Sequence, residues 1–147
     1  MIAVDTNLLV YAHRRDSEWH ERAAETLRAL AEGRAPWAIP WPCVHEFLAV
    51  ATHPRIYDPP TSLPEALDQV SAWLESPSLT LLAEGLGYAD RLTKVLESSK
   101  VTGAKVHDAR VAALCLYHGV RELWSADRDF TRFGELAVRN PLVTPEG

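Results

Sequence analysis

Five short β-prone runs separated by helical stretches constrain this chain more than any other feature. They are Ile2–Val4, Trp37–Ile39, Leu79–Leu82, Glu122–Ser125 and Ala137–Arg139. Between them the apolar spacing predicts helices over 8–11, 17–32, 44–52, 62–75, 87–98 and 106–117, the last stopped by Gly119. Short strands that alternate with helices argue for an α/β layered fold with a central, mainly parallel sheet. Residues 53–64 hold four prolines and read as a loop. At 147 residues the chain has the length of one ordinary domain, and 1–147 is expected to form one.

Several function classes fall away at this level. No uninterrupted apolar run approaches the ~18–20 residues that span a bilayer, and Asp5 breaks the only candidate leader, so a cytoplasmic location is expected. Cys43 and Cys115 lack metal-type spacing and read as buried free thiols of a reducing compartment. The six histidines are scattered. The chain has no Gly-rich phosphate loop, hence no expected nucleotide cofactor, and no Gly-x-Ser-x-Gly elbow. A net charge of −5 argues against coating nucleic acid by bulk electrostatics.

What remains is a set of acids. In an open parallel sheet, ligands bind beyond the carboxyl ends of the strands. Asp5 follows the first strand directly, and alone it reads as a helix N-cap. Glu46 lies past the second strand, inside the apolar stretch Val44–Ala51. Asp108 opens a helix that is apolar on most of its surface, so its charge needs a partner. Asp127 and Asp129 follow the fourth strand. A spacing of two puts both side chains on one side of an extended segment, whereas in a helical turn they diverge.

In such a sheet these positions converge on one edge. Gathered carboxylates raise one another's pKa unless a cation sits among them. An all-oxygen ligand set selects a hard cation, Mg²⁺ or Mn²⁺. Such ions can activate water and stabilise the leaving oxygen of a phosphodiester.

The segments Val4-Asp5-Thr6-Asn7-Leu8-Leu9, Glu46, Val106-His107-Asp108-Ala109 and Ser125-Ala126-Asp127-Arg128-Asp129-Phe130 occur in order along the chain. With them the sequence resembles the PIN-domain proteins, and more narrowly the VapC toxins of bacterial toxin–antitoxin pairs. That resemblance implies a three-layer sandwich and a metal-dependent endoribonuclease, with RNA as substrate. It implies a homodimer silenced by a small antitoxin protein. It also implies that Asp5, Glu46, Asp108 and Asp127 are catalytic, with Asp5, Asp108 and Asp127 on the metal. Thr6, Asn7, Ser125 and Asp129 would be accessory. Ser125 stands where the family more often has Thr, and it keeps the hydroxyl.

On this reading Glu46 is a ligand through water or the base for the attacking water, and hydrolysis leaves a 5′-phosphate and a 3′-hydroxyl. Arg14, Arg15, Arg110 and Arg128 are candidates for steering RNA. Lys105 is either a phosphate contact or a loop charge. The aromatics Tyr11, Trp19, Trp41 and Tyr57 are base-stacking candidates, with core or dimer packing the favoured reading.

Three rivals stand beside the toxin. One is a stand-alone RNA-processing nuclease, and one is a PIN module that binds without cutting. The third is a phosphatase of the haloacid-dehalogenase type, which wants a second Asp where this chain has Asn7.

Overall fold

The computed structural model of the protein describes residues 1–144. Its strands are β1 (Ile2–Val4), β2 (Trp37–Pro40), β3 (Leu79–Leu82), β4 (Glu122–Trp124) and β5 (Val138–Arg139). They form one sheet in the order β3-β2-β1-β4-β5, every neighbouring pair parallel. The helices are α1 (Thr6–His13), α2 (His20–Glu32), α3 (Trp41–Ala51), α4 (Leu63–Leu74), α5 (Tyr88–Ser99) and α6 (Val106–Tyr117), with 3₁₀ turns at Gly103–Lys105 and Arg128–Arg132.

Strand order decides where a site forms. The chain steps outward from β1 through β2 to β3, then returns across the sheet to β4 and continues to β5. Parallel crossovers are right-handed, so the reversal places α1–α4 on one face and α5–α6 on the other. Helix packing agrees: α1 lies on α2 and α3, α3 on α4, and α5 on α6. This is the expected three-layer sandwich. The connection changes direction between β1 and β4, which makes the end of that strand pair the topological switch point.

The central strands are buried on both faces, as parallel strands covered by helices must be. Trp37, Ala38 and Ile39 are at most 1% exposed, and Ala3 and Val4 are fully buried. Trp37 still finds a partner for its indole N–H in Ser76 Oγ, at 3.1 Å. α6 buries Ala109 and everything from Val111 to Cys115, which confirms a helix apolar on most of its surface. It ends as a Schellman motif. Gly119 takes φ 68°, its N–H donates to Leu116 O (3.2 Å), and the Val120 N–H donates to Cys115 O (2.9 Å).

α1 runs Thr6–His13 where 8–11 was expected, and two further helices start elsewhere than expected. α2 begins at His20 rather than Ser17, because the Ser17 hydroxyl accepts from Trp19 N (3.1 Å) and closes a turn instead. α3 begins at Trp41, since Pro42 in the first helical turn lacks an N–H that would have no intrahelical partner anyway. Of the two arrangements the sequence left open after Asp127, the structure has the turn, a 3₁₀ helix over Arg128–Arg132.

No helix among the described residues is long and apolar enough to cross a membrane. Cys43 and Cys115 are free and buried. Burial pushes the Cys115 thiol up to about 12 and the Cys43 thiol well above its ordinary range, so neither is a ready nucleophile.

Candidate active site

Asp5 is the first residue past β1, and its N–H still donates to Trp124 O (3.0 Å), which locks it at the β1–β4 junction. The residue is 6% exposed. It makes no side-chain cap to α1, so the N-cap role that a lone Asp would suggest is absent. Instead Oδ2 accepts from Ser125 Oγ at 2.8 Å, and Oδ1 accepts from the Cys43 thiol at 3.5 Å.

Ser125 ties three groups together. Its hydroxyl has one proton and two lone pairs. The proton goes to Asp5, and the lone pairs accept from Asp127 N (3.0 Å) and Asn7 Nδ2 (3.3 Å). Asn7 Oδ1 accepts from Ala126 N (3.1 Å). Asn7 is therefore a clamp that fastens α1 to the loop after β4, and Ser125 carries the hydrogen bond expected of it. Thr6 donates from Oγ1 to Glu46 Oε2 at 3.2 Å, which orients the α3 carboxylate.

Asp5, Glu46, Asp108 and Asp127 line one cleft of about 270 Å³. They arrive from the end of β1, the middle of α3, the first turn of α6 and the loop after β4. Within this region Asp108, Asp127 and Asp129 form the tightest group, each offering a carboxylate oxygen within 4.8 Å of the others. Asp129, expected to be accessory, belongs to this trio, while Asp5 lines the cleft outside it. The 3₁₀ turn does not separate Asp127 from Asp129. Asp127 stays extended (φ −91°, ψ 113°) as the cap of the turn and accepts from Asp129 N at 2.9 Å.

The electrostatics of the acids differ. Burial lifts the Asp5 carboxyl from 3.8 to about 6, against the lowering effect of its hydrogen bonds to Ser125, the Thr6 backbone and Cys43. Burial also raises Asp108, partly offset by the nearby Lys105 ammonium. The Asp129 carboxyl is held below its ordinary value by its hydrogen bond to Lys105.

Lys105 is neither a free loop charge nor open to a phosphate. Its ammonium is hydrogen-bonded to Asp129 and lies 3.7 Å from Asp108 Oδ2. An all-carboxylate trio already drawing in a cation is a donor set that suits a hard divalent ion. The side chain of Lys105 is 41% exposed and can leave. Lys105→Gln is expected to tighten divalent-cation binding by about two- to fivefold, the worth of a partly exposed ion pair. Calorimetric titration with Mn²⁺ checks this, and weaker binding by the variant would refute it.

The other basic residues divide. Arg14 is spent inside the fold. Its side chain is 11% exposed, forked onto Asp16 (2.7 and 3.0 Å), and bonded to Thr61 Oγ1 (3.2 Å). Arg110 pairs with Glu84 at 2.9 Å. Arg15 and Arg128 are exposed. Sequence reasoning missed the thiol of Cys43 on Asp5. Of the four aromatic candidates, Tyr11 and Tyr57 line the cleft and Trp19 and Trp41 do not; Val10 and Val50, which also line it, were missed.

A parallel sheet with carboxylates gathered at its switch point is a frame whose donor set suits a hard cation. The comparisons make the class specific: the PIN domain matches residues 2–136, and the chain belongs to that family. It is 34% identical to ribonuclease VapC43 of Mycobacterium tuberculosis over 142 residues, 97% of this chain and 96% of the relative. It is 29% identical to ribonuclease VapC48 of the same organism over 138 residues, 94% and 95% of the two chains. Among solved structures, VapBC2 from Rickettsia felis, bound to a DNA fragment from its promoter, superposes with a TM-score of 0.69. It does so at 17% identity over 95% of this chain and 98% of that one, a likeness of fold.

Proposed function

We propose that this protein is a divalent-cation-dependent endoribonuclease and the toxin of a toxin–antitoxin pair, with Mg²⁺ as its working ion and Mn²⁺ as a substitute. The observation that carries the reading is the convergence of Asp5, Glu46, Asp108 and Asp127, from four separate elements, on one cleft at the switch point. The near full-length relation to VapC ribonucleases supports it. A cytoplasmic homodimer held in check by a small antitoxin protein belongs to the same proposal.

Asp108 and Asp127 are the residues that hold the cation, with Asp5 beside them in the cleft and Asp129 from the turn. Bound there, a divalent ion supplies a nucleophilic water near neutral pH and offsets charge on the phosphodiester. Glu46 is the proton acceptor. Thr6 holds its Oε2, which leaves Oε1 to take a proton from the attacking water. The water oxygen bonds to phosphorus as the bond to the 3′ oxygen breaks, and solvent protonates the leaving oxygen. The products are a 5′-phosphate and a 3′-hydroxyl.

Incubation with total RNA in Mg²⁺, followed by mapping of the cut ends, tests the reading. Cleavage with those end groups, abolished by a chelator and restored by Mg²⁺, is expected. No cleavage across a broad RNA panel would make the protein a PIN module that binds without cutting.

A further inference from the structure

Besides its acids the cleft is lined by Val10, Tyr11, Val50, Tyr57, Val111 and Phe130. Val10 and Tyr11 follow Thr6 and Asn7 by one turn of α1, and Val50 follows Glu46 by one turn of α3, so with Tyr57 they extend the cleft into an apolar end. At about 270 Å³ the cleft is a small site. Its apolar end has no use for a phosphate. A flat, uncharged group with a π-face matches it.

Tyr57 is the residue of interest because the fold holds it there. It lies in the proline-rich loop between α3 and α4, where every other residue from 53 to 60 is exposed, yet it is half-buried. The Arg14 guanidinium sits 4.2 Å above its ring centre. Arg14 is itself fixed by Asp16 and by Thr61 Oγ1. Thr61 is 6% exposed. It is tied to Ala51 O through its N–H (2.8 Å) and to His13 Nε2 through its hydroxyl (3.1 Å). His13 is pinned in turn by Gln69 Oε1 at 3.0 Å. A solvent-facing loop needs no such brace to be a loop. The brace makes Tyr57 a rigid wall, and a rigid aromatic pays little ordering entropy when a partner stacks on it.

We infer that the apolar end of the cleft receives one unstacked base of the RNA against Tyr57, with Tyr11 beside it, while the adjoining phosphate faces the acids. Arg14 is then a positioning residue for Tyr57 and not a contact for the strand. The inference rests on the ribonuclease reading above. It fits the charge of the chain: with a net charge of −5, bulk attraction to phosphates is weak, so contacts to a base carry more of the binding. Single-stranded RNA is commonly read this way, by splayed bases stacked on aromatic side chains.

The test begins with wild-type protein and a pool of random-sequence RNA decamers in Mg²⁺, to find one decamer that is cut. That decamer is then made with an abasic sugar at each position flanking the cut, and KM and kcat are measured. Removing one particular base is expected to raise KM roughly 5- to 100-fold, the size of a base–aromatic stack, with kcat little changed. Tyr57→Phe keeps the ring and should keep that sensitivity. Tyr57→Leu fills the wall without a ring and should respond to the same base loss by less than about threefold. Thermal melts of each variant separate loss of fold from loss of stacking. Equal sensitivity to base removal in wild type and Tyr57→Leu overturns this inference alone. Failure of the wild type to cut any RNA overturns the ribonuclease reading and this inference with it.

Discussion

Asp5→Asn is expected to lower Mg²⁺-dependent RNA cleavage by on the order of 10³-fold while making the cation-free protein more stable at neutral pH. The first effect follows from position: Asp5 is the acid at the β1–β4 junction. Charge stabilisation of a phosphodiester through a bound cation is worth several kcal/mol, about a factor of ten in rate for each 1.4 kcal/mol. The second effect follows from burial. A carboxyl moved from 3.8 to about 6 has its ionised form disfavoured in the fold by about 3 kcal/mol.

The sign is fixed by where the proton sits. Below 3.8 folded and unfolded chains are both protonated at this residue, so it costs nothing. As pH rises towards 6 the unfolded chain loses its proton first, and stability falls; above 6 the cost is constant. Asn cannot ionise and keeps an oxygen to accept from Ser125. Denaturant melts in a chelator should therefore show wild type and variant converging in acid and separating through this window, the variant more stable by up to about 3 kcal/mol. Added Mg²⁺ should narrow the gap by stabilising wild type alone. Unchanged RNA cleavage, or melting profiles that stay parallel across the window, would remove Asp5 from the site.

Phe47→Ala is expected to destabilise the protein by about 3–5 kcal/mol, the cost of emptying a fully buried aromatic site. Phe47 is 0% exposed. It meets Trp73 edge-on at 4.8 Å and His13 edge-on at 5.3 Å, so one ring joins α3 to α4 and to the end of α1. A loss of that size is a large share of the ~5–15 kcal/mol that holds a domain of this kind together. The consequence reaches the cleft. Glu46 is the preceding residue, and His13 is part of the brace behind Tyr57. Phe47→Leu keeps most of the volume and should cost less than about half as much. A fall of under about 1 kcal/mol for the alanine variant would show that the three helices are not joined through this ring.

Phe47 also marks how far the sequence could be read. Its neighbour Glu46 sat in an apolar stretch, where a lone acid usually marks the solvated side of a helix. Nothing local says that the Thr6 hydroxyl, forty residues earlier, meets that carboxylate. Asp108 was more legible, because a helix that buries Ala109 and Val111 to Cys115 leaves little room for an idle charge. The trio of Asp108, Asp127 and Asp129 was half legible. The spacing of the last two was visible, but their meeting depends on Asp127 staying extended as a cap while Asp129 enters a turn. The roles of Arg14 and Lys105 were not legible. A basic residue in a sequence carries no mark of whether its charge faces solvent, a tyrosine ring or an acid of the site.

By itself, the sequence determined what periodicity and chemical type can determine. Short β-prone runs between amphipathic helices compel a parallel sheet covered on both faces, because each run needs two apolar sides and each crossover supplies one helix layer. Acids placed just past those runs compel a carboxylate-lined edge. Tertiary structure alone decided the rest. The order β3-β2-β1-β4-β5 put the reversal beside Asp5. Ser125 spent its one proton on Asp5 and its two lone pairs on Asp127 and Asn7. A proline-rich loop was folded back so that Tyr57 lines the same cleft as the acids. These are contacts between residues far apart along the chain. They exist only once the whole sheet has formed, so no local pattern encodes them.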